Sequence, residues 1–180
     1  GVGGFEKNCH TVCRYGEILF HVHDKAVWQD YLATSTERQE NIKDNSMVSV
    51  IIPSKDNPKV LKKCLDSLKD LENIEILVVD NGSSPENRSK IETLLGDHRY
   101  LYHPMEFNFS EMCNLGAREA KGQFYLFLND DIEACGSNWL QKMKEKASQD
   151  YVGAVGLKLY YPQSEKIQHA GITNLPVGPV

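Results

Sequence analysis

Gly122-Gln-Phe-Tyr-Leu-Phe-Leu-Asn-Asp-Asp-Ile132 is the stretch whose reading decides the fold. An apolar run, Phe124 to Leu128, leads directly into three oxygen-bearing side chains, Asn129, Asp130 and Asp131. A buried parallel strand reads this way when it delivers polar groups to the rim of a sheet. Open α/β sheets take their ligands at the carboxyl ends of their strands. Two adjacent carboxylates there repel each other, and a hard divalent cation would relieve that repulsion while gripping phosphate oxygens. A second run, Ile74 to Val79, ends similarly in Asp80-Asn-Gly-Ser-Ser84. Asp80 is placed to accept hydrogen bonds from a ribose or a base, or simply to cap its turn.

Outward from these two runs, strand and helix alternate. Val48 to Ile52 is β-rich and stops at Pro53. Asn57-Pro58 reads as a helix start, and Leu61, Cys64, Leu65 and Leu68 recur at helical spacing. Ser84-Pro-Glu86 starts a second helix, carrying Ile91, Leu94 and Leu95. Arg99 to Tyr102 is a short strand. Ser110 is expected to cap a helix from Glu111 to Ala120, which Gly122 ends. Ser137 is expected to cap another, and Val152 to Leu159 to form a last strand. Tyr160 to Ile172 reads as a turn and a short strand. Such alternation implies parallel pairing through right-handed crossovers, hence an α/β, Rossmann-like, mostly parallel sheet flanked by helices.

Residues 1–45 differ in character: a Gly-rich start, a short strand around Glu17 to His23, and a polar helix or linker from Lys25 to Ile42. They are expected to form an N-terminal extension, with the main domain at 46–180. His10, His21 and His23 lack the companion ligands that a metal cage needs. The 180 residues carry a net charge of −5, with 41% hydrophobic and 25% charged residues. That is ordinary for a globular domain and lacks the basic face of a nucleic-acid binder. No apolar run approaches the roughly 20 residues of a membrane helix. Five cysteines without a signal peptide favour reduced thiols.

At the end of the first strand, Ser54 and the backbone of Pro53-Ser54-Lys55-Asp56 could touch a nucleoside, and Lys55 could equally be a surface lysine. Asn108, Ser110 and Asn114 flank a helix start that would favour a phosphate, though simple capping explains them better than ligand contact, and Arg118 could reach an anion or only solvent. Taken together, Val48-Ser-Val-Ile-Ile-Pro-Ser-Lys-Asp56, Ile76-Leu-Val-Val-Asp-Asn-Gly-Ser-Ser84, Asn108-Phe-Ser with Asn114-Leu-Gly, and Leu126-Phe-Leu-Asn-Asp-Asp131 resemble glycosyltransferase family 2, with the GT-A fold. Gly153-Ala-Val-Gly, Lys158-Leu-Tyr-Tyr-Pro and Ile167-Gln-His-Ala-Gly resemble a bacterial branch of it. The ordered set runs from Met47 to about Ile172.

The resemblance implies a nucleotide-diphospho-sugar donor and a saccharide or lipid-linked acceptor in envelope or surface polysaccharide synthesis. It implies a metal-assisted, inverting transfer with Mg²⁺ or Mn²⁺. Pro53, Ser54 and Lys55 then line the nucleoside pocket, and Asp80 binds base or ribose. Asn114 and Arg118 belong to the donor side. Asn129, Asp130 and Asp131 stand at the family's Asp-x-Asp motif, with Asn129 near the ribose, Asp131 as principal metal ligand and Asp130 beside it. Lys55 stands where an aromatic is often found, and Asn129 where the first Asp would be. No residue matches the catalytic base, so the base, and the rest of the domain, are expected downstream of residue 180. Val2-Gly-Gly-Phe-Glu6 and Ile18-Leu-Phe-His-Val22 resemble late segments of such domains, which makes residues 1–45 a candidate tail of a preceding module. The implied location is cytoplasmic, at the inner face of the membrane, with peripheral association and a homodimer left open. A non-catalytic nucleotide-sugar-binding or assembly module is the alternative. A phospho-receiver with Asp80 as acceptor would need an acidic pair after the first strand, which Pro53-Ser54-Lys55 does not supply.

Overall fold

The computed structural model describes residues 11–15, 18–22, 46–136, 138–149, 152–171, 174–175 and 178–179. The readings at Lys25 to Ile42 and Ser137 lie outside them. The chain divides into two compact units, one of Lys43–Ser137, the other of Gly1–Ile42 with Asn138–Val180. The sequence reading had drawn one domain from 46 onward.

In the second of these units, β1 (Thr11–Tyr15) and β2 (Ile18–Val22) form an antiparallel hairpin. The unit also holds a helix (Trp139–Ala147). The single strand expected over Val152 to Leu159 is instead two short pieces, Gly156–Leu157 and Leu159–Tyr160. The first pairs with β2, and the second forms a hairpin with Ile167–His169. Two glycines, Gly153 and Gly156, interrupt the apolar run and shorten what it can pair. A last two-residue pair joins Asn174–Leu175 to Gly178–Pro179.

The unit of Lys43–Ser137 carries the functional argument. Its four strands are β3 (Val48–Ser54), β4 (Ile74–Asp80), β5 (Arg99–Tyr102) and β6 (Phe124–Phe127). Their order is β5-β4-β3-β6, and every neighbouring pair is parallel. Between them run α1 (Pro58–Leu68), α2 (Pro85–Leu95) and α3 (Phe109–Glu119). The three central residues of β3, Val50 to Ile52, are fully buried, as are Leu77, Val78 and Val79 of β4. Alternate side chains of a strand point to opposite faces, so both faces of the sheet centre are covered. On one of them, Ile51 and Val79 meet Met112 of α3. Gly116 lets that helix come close, because a Cβ there would lie 2.4 Å from Ile51 Cγ2.

Several local expectations shift. Asn108, not Ser110, caps α3: its side chain accepts from the Glu111 N–H at 3.0 Å. Asn57 occupies the cap position of α1 but makes no side-chain cap bond. Gly122 is not the residue that ends α3, since the chain is already extended at Ala120. Its lack of a side chain matters for another reason: a Cβ would sit 2.6 Å from the Ser49 backbone N and Oγ. β6 ends the sheet among the described residues; one face is only half-buried, and on the other Tyr125 is 50% and Phe127 48% exposed.

At the amino end of the sheet, Glu75 ties three segments together. It accepts from the Ser49 hydroxyl and the Lys121 and Gly122 N–H groups, and pairs with Arg99. Burial, the largest single influence, would raise its pKa, but these hydrogen bonds and the Arg99 charge together hold it below its ordinary 4.5. A depressed carboxylate pKa stabilises the fold above the unfolded value, and that contribution is lost as pH falls through the folded value. Glu75→Gln should therefore cost about 1–2 kcal/mol at pH 7, and urea titrations of variant and wild type should converge below about pH 4.

Candidate functional site

The sheet reverses direction of growth at β3, which has β4 on one side and β6 on the other. Such a switch point opens a crevice at the strands' carboxyl ends. Register sets what lies there. Ser54 pairs with Asp80, and Asp80 with Tyr102. Ile51 pairs with Phe127, so three residues further along each chain come Ser54 and Asp130. The Ser54 hydroxyl donates to Asp130 Oδ2 at 2.7 Å. The sheet rim thus presents Asp130, Ser54 and Asp80 as one row.

Asp130 and Asp131 differ sharply in setting. Burial pushes the Asp130 carboxyl above its ordinary range, the Ser54 hydrogen bond pulls it back, and the Asp131 charge adds a further upward push. Asp131 is exposed, and its carboxylate makes no hydrogen bond or ion pair among the described residues. Asn129 is exposed too, and its backbone oxygen accepts from Ile132 N–H at 3.3 Å. Among the described residues no cluster of three or more His, Cys, Asp or Glu forms a metal cage. Two neighbouring carboxylates, one free, suit a cation such as Mg²⁺, which takes one or two protein carboxylates and completes its shell with phosphate oxygens and water. The residues present fit that group.

Asp80 is placed differently from the ligand-facing acid that the resemblance implies. It is fully buried. Oδ1 accepts from the Ser83 N–H at 2.7 Å, and Oδ2 from the Tyr100 hydroxyl. It anchors the turn Asn81–Ser84, in which Gly82 adopts φ +82°, a conformation that glycine takes without a Cβ penalty. Burial first, and then the bond to Asp80, raise the Tyr100 pKa far above the ordinary value of a phenol. Asn81 is buried beneath the turn; its N–H reaches Ser54 O at 3.1 Å, and its Oδ1 accepts from Met105 N–H at 3.1 Å.

Pro53 is buried beside Ser54, and Lys55 is exposed. Asn114 and Arg118 are exposed on α3, where Arg118 pairs with Glu111 Oε1 at 2.8 Å. No hydrogen bond joins either of them to the strand-end acids among the described residues.

Three residues escaped the sequence reading. Asp56, at φ +54°, accepts from the Ser84 N–H and from Asn87 Nδ2, while its own N–H donates to Ser83 Oγ at 2.7 Å. It stitches the loop after β3 to the loop after β4, and an Asp followed by Asn-Pro was the available hint. Its carboxyl is held below the ordinary range, chiefly by Asn87 and then by the Ser84 N–H. Tyr100, an ordinary strand aromatic in sequence, left no signal of its bond to Asp80. Arg88 lies over the Tyr102 ring at 4.1 Å, backing the same turn from outside.

Replacing Ser54, 4% exposed, by Ala should leave the part-buried Asp130 carboxylate without its donor. The expected cost is about 1–3 kcal/mol in urea unfolding. The Asp130 carboxyl, followed by NMR, should titrate still higher than in wild type.

The sequence model described as Glycosyl transferase family 2 matches residues 49–175. An uncharacterised protein of Sinorhizobium fredii, y4gI, is 36% identical over 133 residues, covering 70% of this chain and 14% of that protein. The O-antigen biosynthesis protein RfbC of Myxococcus xanthus is 34% identical over 159 residues, covering 77% and 12%. The chain thus spans about an eighth of the length of these relatives. Among solved structures, a mannosyltransferase of Pyrobaculum calidifontis, in complex with GDP-Man and Mn²⁺, superposes with a TM-score of 0.54 at 16% identity, covering 71% of this chain and 44% of that one. At that identity the likeness shows the fold, a GT-A-type Rossmann-like sheet.

Proposed function

The chain belongs to glycosyl transferase family 2, and from that premise we propose that it binds a nucleoside-diphospho-sugar at the β3/β6 switch point for transfer of the sugar to a saccharide or lipid-linked acceptor. The observation that carries this reading is the pairing of Ser54 with Asp130 at the crevice, with Asp131 exposed and unpartnered beside it. Asp131 is the principal ligand for Mg²⁺ or Mn²⁺, with the oxygen of Asp130 that Ser54 leaves free beside it. When bound, the cation supplies Lewis-acid stabilisation to a departing nucleoside diphosphate. The Mn²⁺ and GDP-Man of the Pyrobaculum complex support that choice of ligand class.

The chain's own residues orient the donor. Pro53, Ser54 and Lys55 line the nucleoside side, and Asn129 lies at the ribose. Asp80 acts through the turn it anchors, presenting Asn81–Ser84 to the nucleoside. Asn114 and Arg118 serve the diphosphate from α3, Arg118 by releasing Glu111. The domain unit is 46–180, in keeping with a family match that spans 49–175. The transfer is inverting, with a carboxylate base taking the acceptor's proton. The O-antigen biosynthesis protein of Myxococcus supports an envelope or surface polysaccharide as the product, and the reading puts its synthesis on the cytoplasmic side of a membrane.

Calorimetry with UDP and GDP, each with and without Mn²⁺, tests this. Binding should tighten with the metal, and Asp131→Ala should abolish that tightening while far-UV circular dichroism stays unchanged. Equal affinity with and without metal in the wild type would overturn the reading.

A further inference from the structure

The loop from Asn129 to Ala134 is held at both ends by one face of α1. On α1, Cys64 and Ser67 are one turn apart and so lie side by side. The Cys64 thiol donates to the Asn129 carbonyl, Sγ to O 3.8 Å. The Ser67 hydroxyl donates back to the Cys64 carbonyl at 2.7 Å. With its proton committed inside the helix, its oxygen is turned outward as an acceptor, and it takes the Ala134 N–H at 2.9 Å. The grip spans 67 residues of sequence and brackets Asp130 and Asp131 between its two points.

From the front, the same loop is held by Ser54 on Asp130. The exposed Asp131 is the one carboxylate in it with no partner of its own. Its direction is set by the backbone that carries it, and that backbone is set at the rear by α1. An exposed ion pair between Lys63 and Glu133, 3.9 Å apart, adds little to this, since such pairs are screened by water.

We propose that Ser67, seconded by Cys64, is a positioning residue for the cation-binding carboxylates, acting through the loop backbone. The inference rests on the reading of the site given above. Groups behind a metal ligand typically change metal affinity by about 10–100-fold when removed. The neutral hydroxyl of Ser67 is engaged by the Cys64 carbonyl and the Ala134 N–H, so its removal acts through the loop on the metal-dependent part of binding.

The experiment uses the full chain and its Ser67→Ala and Ser67→Thr variants. Calorimetry gives the affinity for UDP and GDP with and without Mn²⁺, and hydrogen exchange follows the Ala134 amide. In Ser67→Ala the gain from Mn²⁺ should fall about tenfold, metal-free affinity should hold, and the Ala134 amide should exchange faster. Ser67→Thr, which keeps the acceptor oxygen, should restore all three. Three results would overturn the proposal. One is a variant that exchanges fast at Ala134 yet keeps the full gain from Mn²⁺. Another is equal loss of affinity with and without metal, which would mark Ser67 as general packing. A wild type indifferent to Mn²⁺ would remove the proposed site and this inference with it, whereas the first two results would remove the inference alone.

Discussion

One hydrogen bond, from the buried Ser54 hydroxyl to Asp130, joins the two strands at which the sheet turns back on itself. The rest of the rim depends on it. β3 is the hub, paired over its whole length with β4 and over four residues with β6. β6 is short and half-exposed on its outer face, so little side-chain packing fixes where its continuation goes. The Leu128 N–H still reaches Ile51 O at 3.0 Å, which carries the pairing one step past the strand. Beyond it the chain leaves the ladder, and the Ser54–Asp130 bond takes over the work of register. A part-buried carboxylate needs a donor, and a serine level with it on the next strand supplies one without adding charge.

The neighbouring rim is organised by the same rule with different atoms. Asp80 is turned inward, and its charge is met by an N–H and a phenol. Its role is to fold the turn after β4, and Asp56 fastens that turn to the end of β3. The result is a hydrogen-bonded margin that links Asn87 through Asp56 to Ser83 in the turn, and, from Asn81 of the same turn, through Ser54 to Asp130. Loops that carry function are held by a rigid scaffold, and here the scaffold is made of side chains from the loops themselves as much as of strands.

What was legible in the sequence follows from this. The strands at Val48, Ile74, Arg99 and Phe124 were visible because β-branched and aromatic runs stopped by Pro, Gly or acids have few other readings. Their parallel order followed from the helices between them. The cap of α3 was misjudged by two residues because Asn108 and Ser110 are both good caps, and only the backbone chooses between them. The partial exposure of β6 was hidden because an apolar run reads the same at a sheet's edge as at its centre. For the site, acids at strand ends could be read, but which way each carboxylate turned could not. That depends on Tyr100, Ser67 and Cys64, which are distant in sequence and ordinary in type.

The contrast between the two loop acids gives the electrostatics a direction. Asp130 is desolvated and sits beside another negative charge, which together outweigh the Ser54 hydrogen bond, so its ionised form is disfavoured. The Cys64 thiol behind the loop, pushed up to about 12 first by burial and then by the charges of Asp130, Asp131 and Glu133, stays neutral and cannot add to the repulsion. A loop of this kind holds a stock of unfavourable interaction that water at Asp131 relieves only in part. A small divalent cation held by Asp130 and Asp131 would relieve it further, at the cost of desolvating an acid that is already half out of water. The burial that penalises the ionised Asp130 is therefore what would favour a cation beside it.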